Sequence, residues 1–85
     1  MGKLTEVTIK LFAFLQDRLG PTVQIEVPTP VKVAVLFDKV SQLDPQLSAT
    51  LANSRLAVNQ EFVDSDEVSL TASDEIAIIP PVSGG

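Results

Sequence analysis

Gly84 and Gly85, reached through Ile79-Pro80-Pro81-Val82-Ser83, are the residues best suited to chemistry in this 85-residue chain, and the group they offer is a main-chain carboxylate. Two residues without side chains let a terminal carboxylate pass through a channel too narrow for a Cβ, and let the backbone bend once inside. Pro80 and Pro81 fix φ and favour an extended polyproline backbone, which predicts a tail over residues 80–85 held away from a folded body over residues 1–79. Six extended residues at roughly 3.3 Å each span about 20 Å, enough to enter a partner's active site. A bare Gly-Gly is also what a frayed tail looks like, and the Pro-Pro before it favours presentation. Together these features describe a carrier whose reactive group is Gly85, with Gly84 as its slender neck.

The body offers little rival chemistry. With no Cys and no His, the chain has no thiolate nucleophile, no imidazole base, no ordinary zinc site and no disulfide. The four glycines, Gly2, Gly20, Gly84 and Gly85, make no phosphate-binding loop, so no cofactor is expected on this chain and any nucleotide is handled elsewhere. The formal net charge is −5, and no basic residue follows Arg55, whereas Glu61, Asp64, Asp66, Glu67, Asp74 and Glu75 do. Nucleic acid is a poor partner for such a surface, because binding it means neutralising phosphates. An acidic face around a projecting tail steers toward basic pockets; equally, these are the solvated turn residues of a small soluble domain.

Hydrophobic residues make up 45% of the chain, which predicts a folded core, while no apolar run approaches the roughly 20 residues that span a bilayer. The start carries no signal-peptide pattern, and Glu6 stands where a myristoylation signal wants Ser or Thr, so a cytoplasmic address without membrane attachment is expected. Eighty-five residues make one small domain.

Within that domain Val7, Ile9 and Leu11 alternate with Thr8, Lys10 and Phe12, the period of a strand with one covered face. Ala13 to Leu19 predicts a short helical turn closed by Gly20-Pro21, and Val23, Ile25 and Val27 a second strand paired with the first. Thr29-Pro30 reads as an N-cap and first helical residue, leading into a Val33, Leu36, Phe37, Val40 stripe that packs on the sheet. Asp44-Pro45 starts a second short helix with Leu47 and Leu51 on one face, ending near Asn53. Leu56 to Val58, Phe62-Val63 and Glu75 to Ile79 predict further strands, with turns at Asn59-Gln60-Glu61 and Thr71 to Asp74.

Strand parity gives a second functional expectation. If Ile9, Leu11, Ile76 and Ile78 face the helices, Phe12 and Ile79 face away. Phe62, after a polar turn, is the third candidate, and three large apolar groups beside an emerging tail make a protein docking site. The alternative is that the segment from Phe14 to Leu19 covers Phe12.

Several pieces of the chain, in order, resemble the small subunit of molybdopterin synthase: Leu11-Phe12-Ala13, Arg18-Leu19-Gly20, Ala57-Val58-Asn59-Gln60, and Asp74-Glu75-Ile76 through Pro80-Pro81-Val82-Ser83-Gly84-Gly85. The Val-Asn and Asp-Glu pieces are common to several ubiquitin-like sulfur carriers, whereas Pro-Pro-Val-Ser-Gly-Gly is closer to the molybdopterin branch. The resemblance implies an α+β β-grasp fold: a mixed sheet of about five short strands, one main helix on one face, short helical segments and a flexible tail. One departure is Ser73, where the family usually has Gly in a tight turn.

The resemblance also implies a cycle. An adenylyltransferase that uses ATP converts Gly85 to an acyl-adenylate, sulfur from a persulfide donor displaces AMP, and the thiocarboxylate enters a large subunit to deliver sulfur to cyclic pyranopterin monophosphate. Phe12, Phe62, Ile79, Pro80, Pro81, Val82 and Ser83 are then the partner-binding residues, in an assembly of two small and two large subunits, with the acid, base and oxyanion-stabilising groups on the partner. Three other readings stay open: a sulfur carrier for thiamine or tRNA thiolation, a ubiquitin-like modifier that joins Gly85 to lysine, and an interaction module that uses only the Phe12/Ile79 face.

Overall fold

The computed structural model describes residues 4–81. Strand β1 (Leu4–Leu11) leads through helix α1 (Ala13–Leu19) to β2 (Thr22–Pro28), followed by β3 (Val31–Lys32) and the main helix α2 (Val33–Ser41). A 3₁₀ turn (Pro45–Leu47) and helix α3 (Ser48–Ala52) come next, then β4 (Arg55–Val58), β5 (Glu61–Phe62), β6 (Glu67–Val68) and β7 (Ile76–Ile79). Five strands form one sheet in the order β2-β1-β7-β4-β5, and β3 and β6 form a separate two-stranded ladder. The central pair β1–β7 is parallel, with Ile9 opposite Ile76 and Leu11 opposite Ile78; the other pairs in the sheet are antiparallel.

Alternation along the strands selects the covered face. Val7, Ile9, Leu11, Ile76 and Ile78 are buried and join Leu15 of α1, Leu36 and Val40 of α2, Leu47 and Leu51 in one cluster. The predicted α2 stripe is present, with Val33 and Phe37 half-buried against that cluster. All the helices therefore lie on one side of the sheet, and its other side is open. Ile78 is fully buried between α-helical and strand neighbours, so Ile78→Ala is expected to cost about 2–5 kcal/mol, a large part of the roughly 5–15 kcal/mol available to a small domain. Urea unfolding monitored by circular dichroism measures it.

Two short connections follow from single residues. Gly20 ends α1 at φ +93, a left-handed value that glycine adopts without a Cβ clash, while its N–H donates to the Gln16 carbonyl at 2.8 Å. Asp44 caps the 3₁₀ turn by accepting from the Gln46 N–H at 3.1 Å, as Asp-Pro predicts.

Thr29-Pro30 does not start the main helix. The Thr29 hydroxyl accepts from the Leu70 N–H at 3.1 Å, Val31 and Lys32 pair with Val68 and Glu67, and α2 begins at Val33. Val33 N–H donates to the Asp66 carbonyl at 2.8 Å, so a carbonyl from another segment does the work expected of a capping side chain. The β3–β6 ladder was not expected, because two residues per strand are too few to show a period. Ser73 fits its turn without strain: among the described residues the non-glycine positive φ values are at Ala13, Asn59 and Gln60. The turn closes by Asp74 N–H to Thr71 carbonyl at 3.1 Å.

Candidate docking and carrier site

The site is built where the open face of the sheet meets the end of β7. On β7, Ile76 and Ile78 point into the core, which leaves Ala77 and Ile79 on the open side. Across β4 the register sets Ala57 opposite Ala77 and Arg55 opposite Ile79, and the next rung sets Phe62 opposite Ala57. Phe12 closes the set from the far side, one residue beyond Leu11 of β1 and hence on the opposite face. Phe12, Ala57, Phe62, Ala77 and Ile79, with Gln60 and Glu75 at the rim, line a shallow apolar cavity of about 240 Å³.

Phe12 is 43% exposed and Phe62 50% exposed. The alternative in which α1 covers Phe12 is not what forms: α1 turns Leu15 into the core, and Phe14 is itself exposed. Ala13 makes that divergence possible by adopting φ +53, which swings α1 away from the open face at a steric cost of roughly 1–2 kcal/mol. Phe62 is steadied by the Arg55 guanidinium 4.0 Å above its ring centre, a cation–π contact that also leaves a positive group beside an otherwise acidic rim. Of the other residues expected at the site, Pro80 is half-buried and Pro81 exposed just beyond β7, while Val82, Ser83, Gly84 and Gly85 lie outside the described residues.

The rim is organised by hydrogen bonds that pattern reading missed. The β4–β5 hairpin turns through Asn59-Gln60, both at positive φ (52° and 70°), as a two-residue type I′ turn requires. Asn59 N–H donates to the Glu75 carbonyl at 2.7 Å, Glu75 N–H donates to Asn59 Oδ1 at 2.9 Å, and Asn59 Nδ2 donates to Asp74 Oδ1 at 3.2 Å. Lys10 of β1 pairs with the Glu75 carboxylate at 3.3 Å. The Val-Asn and Asp-Glu segments, 15 residues apart, are therefore two halves of one contact.

Asp74 also accepts the Thr71 N–H at 2.8 Å, and that bond, with the one from Asn59, holds its carboxyl below the usual carboxylate range. A pKa lowered by folding contributes stability that is fully present above the unfolded value and is lost as pH falls through the lowered one. Asp74→Ala is thus expected to be less stable than the unsubstituted chain at pH 7, with the difference shrinking in strong acid; paired urea titrations at the two pH values check the sign.

A mixed five-stranded sheet with a parallel pair at its centre, gripping one main helix, defines a ubiquitin-like β-grasp protein. The chain belongs to the ThiS family, whose model matches residues 9–85. It is 42% identical over 80 residues to the molybdopterin synthase sulfur carrier subunit of Dictyostelium discoideum, covering 91% of this chain and 93% of that relative. The solution structure of small archaeal modifier protein 1 from Methanosarcina acetivorans superposes with TM-score 0.77 at 27% identity, over 99% of this chain and 100% of that one. The fold is also that of a chain from the complex of subunits 1 and 2 of molybdopterin-converting factor from Helicobacter pylori, with TM-score 0.66 at 22% identity over 95% and 100% of the two chains. Among the described residues no helix is long and apolar enough to cross a membrane.

Proposed function

We propose that this chain is the sulfur carrier subunit of a molybdopterin synthase, with Gly85 as the sulfur-bearing residue. The observation that carries the reading is an exposed apolar cavity, lined by Phe12, Phe62 and Ile79, at the root of a tail ending in Pro-Pro-Val-Ser-Gly-Gly. The near full-length likeness to a relative of that name supports it.

A carboxylate is a poor electrophile, so activation comes first. An adenylyltransferase with ATP joins the Gly85 carboxylate to AMP and releases pyrophosphate; the outer sulfur of a persulfide donor then expels AMP to give an acyl disulfide, and a second thiol on the donor side breaks its S–S bond, forming a disulfide with the donor and leaving Gly85 as a thiocarboxylate. The large subunit docks on the cavity, the tail runs through its channel, and the sulfur passes to cyclic pyranopterin monophosphate. Two such transfers complete a dithiolene, and the spent chain leaves with an ordinary carboxylate to be recharged. The docking cavity gives affinity and orientation to a tail that makes few contacts of its own. The groups that move protons and stabilise the oxyanion belong to the large subunit, so the chain takes part in catalysis as a group carrier, without metal or cofactor of its own. The absence of Cys suits that role, since no internal thiol can attack the activated terminus.

The modifier reading has one specific observation in its favour, the full-length fold shared with small archaeal modifier protein 1. Thiocarboxylated chain mixed with a molybdopterin synthase large subunit and cyclic pyranopterin monophosphate distinguishes the two. Formation of dithiolene in step with sulfur lost from the chain supports the proposal. Isopeptide products on lysine, with no dithiolene, would replace it with the modifier reading.

A further inference from the structure

Asn59 sits where the β4–β7 ladder should stop. The last regular pair is Val58 with Ile76, and the next in register is Asn59 with Glu75. A hydrogen-bonded antiparallel pair exchanges two N–H···O bonds, each from one main chain to the other. Here the first is ordinary, Asn59 N–H to Glu75 carbonyl at 2.7 Å, but at φ +52 the chain is already turning into the hairpin loop. The second bond is made by the side chain instead: Glu75 N–H donates to Asn59 Oδ1 at 2.9 Å. The remaining amide group donates from Nδ2 to Asp74 Oδ1 at 3.2 Å.

Few residues meet all these demands. The side chain must accept at the reach of a main-chain carbonyl, donate to a carboxylate, and tolerate left-handed φ; Asn is among the side chains that do so at least cost. Gln is one methylene too long, and Asp accepts but, when ionised, has nothing to donate.

The latch spans the two walls of the cavity. Gln60 and Phe62 belong to the hairpin that Asn59 opens, whereas Glu75, Ala77 and Ile79 belong to the strand segment it grips. Among the described residues β5 pairs only with β4, through two residues. We infer that Asn59 is a positioning residue for carrier docking: its side chain fixes the hairpin wall against β7, so that the cavity is already shaped when the large subunit arrives. This rests on the sulfur-carrier reading for the identity of the partner, but not for the latch itself.

A cavity that is shaped for only part of the time binds more weakly by the fraction of time it is competent. If unlatching leaves the competent form about one-tenth populated, Asn59→Ala weakens large-subunit affinity about tenfold. Asn59→Asp supplies a readout that loss of packing alone would not. The introduced carboxylate keeps the acceptor for Glu75 N–H but faces Asp74, and two adjacent carboxylates raise the pKa of one of them. The other charged groups beside the site are Glu75, held by Lys10 of β1 at 3.3 Å, and Glu61 two residues on in β5. On acidification a shared proton restores a donor between the introduced carboxylate and Asp74.

The test measures amide hydrogen exchange and large-subunit affinity for the full chain and both variants, far below their unfolding temperatures. Asn59→Ala is expected to speed exchange at the main-chain amides of residue 59, Glu61, Val63 and Glu75, the ones the hairpin and latch hold, while leaving Ile9 and Ile78 protected. Its affinity is expected to fall about tenfold at every pH, whereas that of Asn59→Asp recovers toward the unsubstituted value as pH falls into the carboxylate range, from about 6 to 4. Unchanged exchange in the hairpin, or loss of protection throughout the core, would overturn the latch. A local loss of protection with unchanged affinity would overturn its docking role. Failure of the unsubstituted chain to bind the large subunit would remove the sulfur-carrier reading and the docking role with it, while the exchange comparison still decides whether Asn59 fixes the cavity.

Discussion

A chain that lacks Gly85 is expected to fold as the full chain does and to support no molybdopterin formation. The two halves of that expectation have separate causes. Gly85 is six positions beyond Ile79, the last residue of β7, and among the described residues the core ends at Ile78, so the midpoint of thermal unfolding is expected to stay unchanged. On the proposed carrier role the reacting carbonyl, by contrast, retreats by one residue, roughly 3.3–3.6 Å in an extended chain. Misplacement of a reacting group by only about 1 Å costs on the order of a hundredfold in rate, so a full-residue retreat removes activation and transfer together. Adenylation assayed by pyrophosphate release, beside sulfur transfer assayed by dithiolene formation, measures both. Gly84→Ala is a milder case: the carbonyl keeps its place, and the added Cβ slows passage through a narrow channel without disturbing the fold.

Phe62→Asp is expected to separate docking from stability. Phe62 is half exposed, and the Arg55 guanidinium over its ring is a contact worth about 0.5–1 kcal/mol at an exposed site. Its removal therefore leaves the monomer nearly as stable. In the proposed docking with the large subunit the same ring serves as a desolvated anchor, and losing such an anchor is expected to cost about 2 kcal/mol or more, at least about thirtyfold in Kd. The substitution also adds a negative charge to a rim that already carries Glu75. Isothermal titration with the large subunit, beside urea unfolding of the monomer, gives the two quantities. Equal loss in both would mean that Phe62 supports the fold instead of a partner. The contrast with Ile78 is instructive: one register position and one face of the sheet decide whether an apolar side chain supports the core or the interface.

Much of this arrangement could be read from the sequence because it is periodic. The alternation in β1, β2 and β7 gave the buried face, the Leu36/Val40 stripe gave the main helix, and parity then put Phe12 and Ile79 on the open side. What could not be read is carried by single contacts between distant segments. Thr29-Pro30 carries the local signature of a helix start, yet the Thr29 hydroxyl is taken by Leu70, 41 residues away. The two-residue strands β3 and β6 have no period to display. Ala13 at φ +53 gives no local sign either, since nothing in an alanine announces a left-handed backbone. The Asn59 latch falls between these cases. An Asn in a polar turn is an ordinary signal, and Gln60 in place of glycine weakens the expectation of a tight hairpin; only the fold brings that turn against Asp74 and Glu75.

The measurement that bears most directly on the carrier role is the intact mass of the chain through one complete cycle. The chain is incubated with an adenylyltransferase, ATP and a persulfide donor, then with the large subunit and cyclic pyranopterin monophosphate. A mass gain equal to sulfur replacing oxygen at Gly85, lost again as dithiolene accumulates, is the expected result. A chain that never gains sulfur beside an active adenylyltransferase and donor, or that keeps it while the pterin precursor goes unconverted, would contradict a role as molybdopterin sulfur carrier.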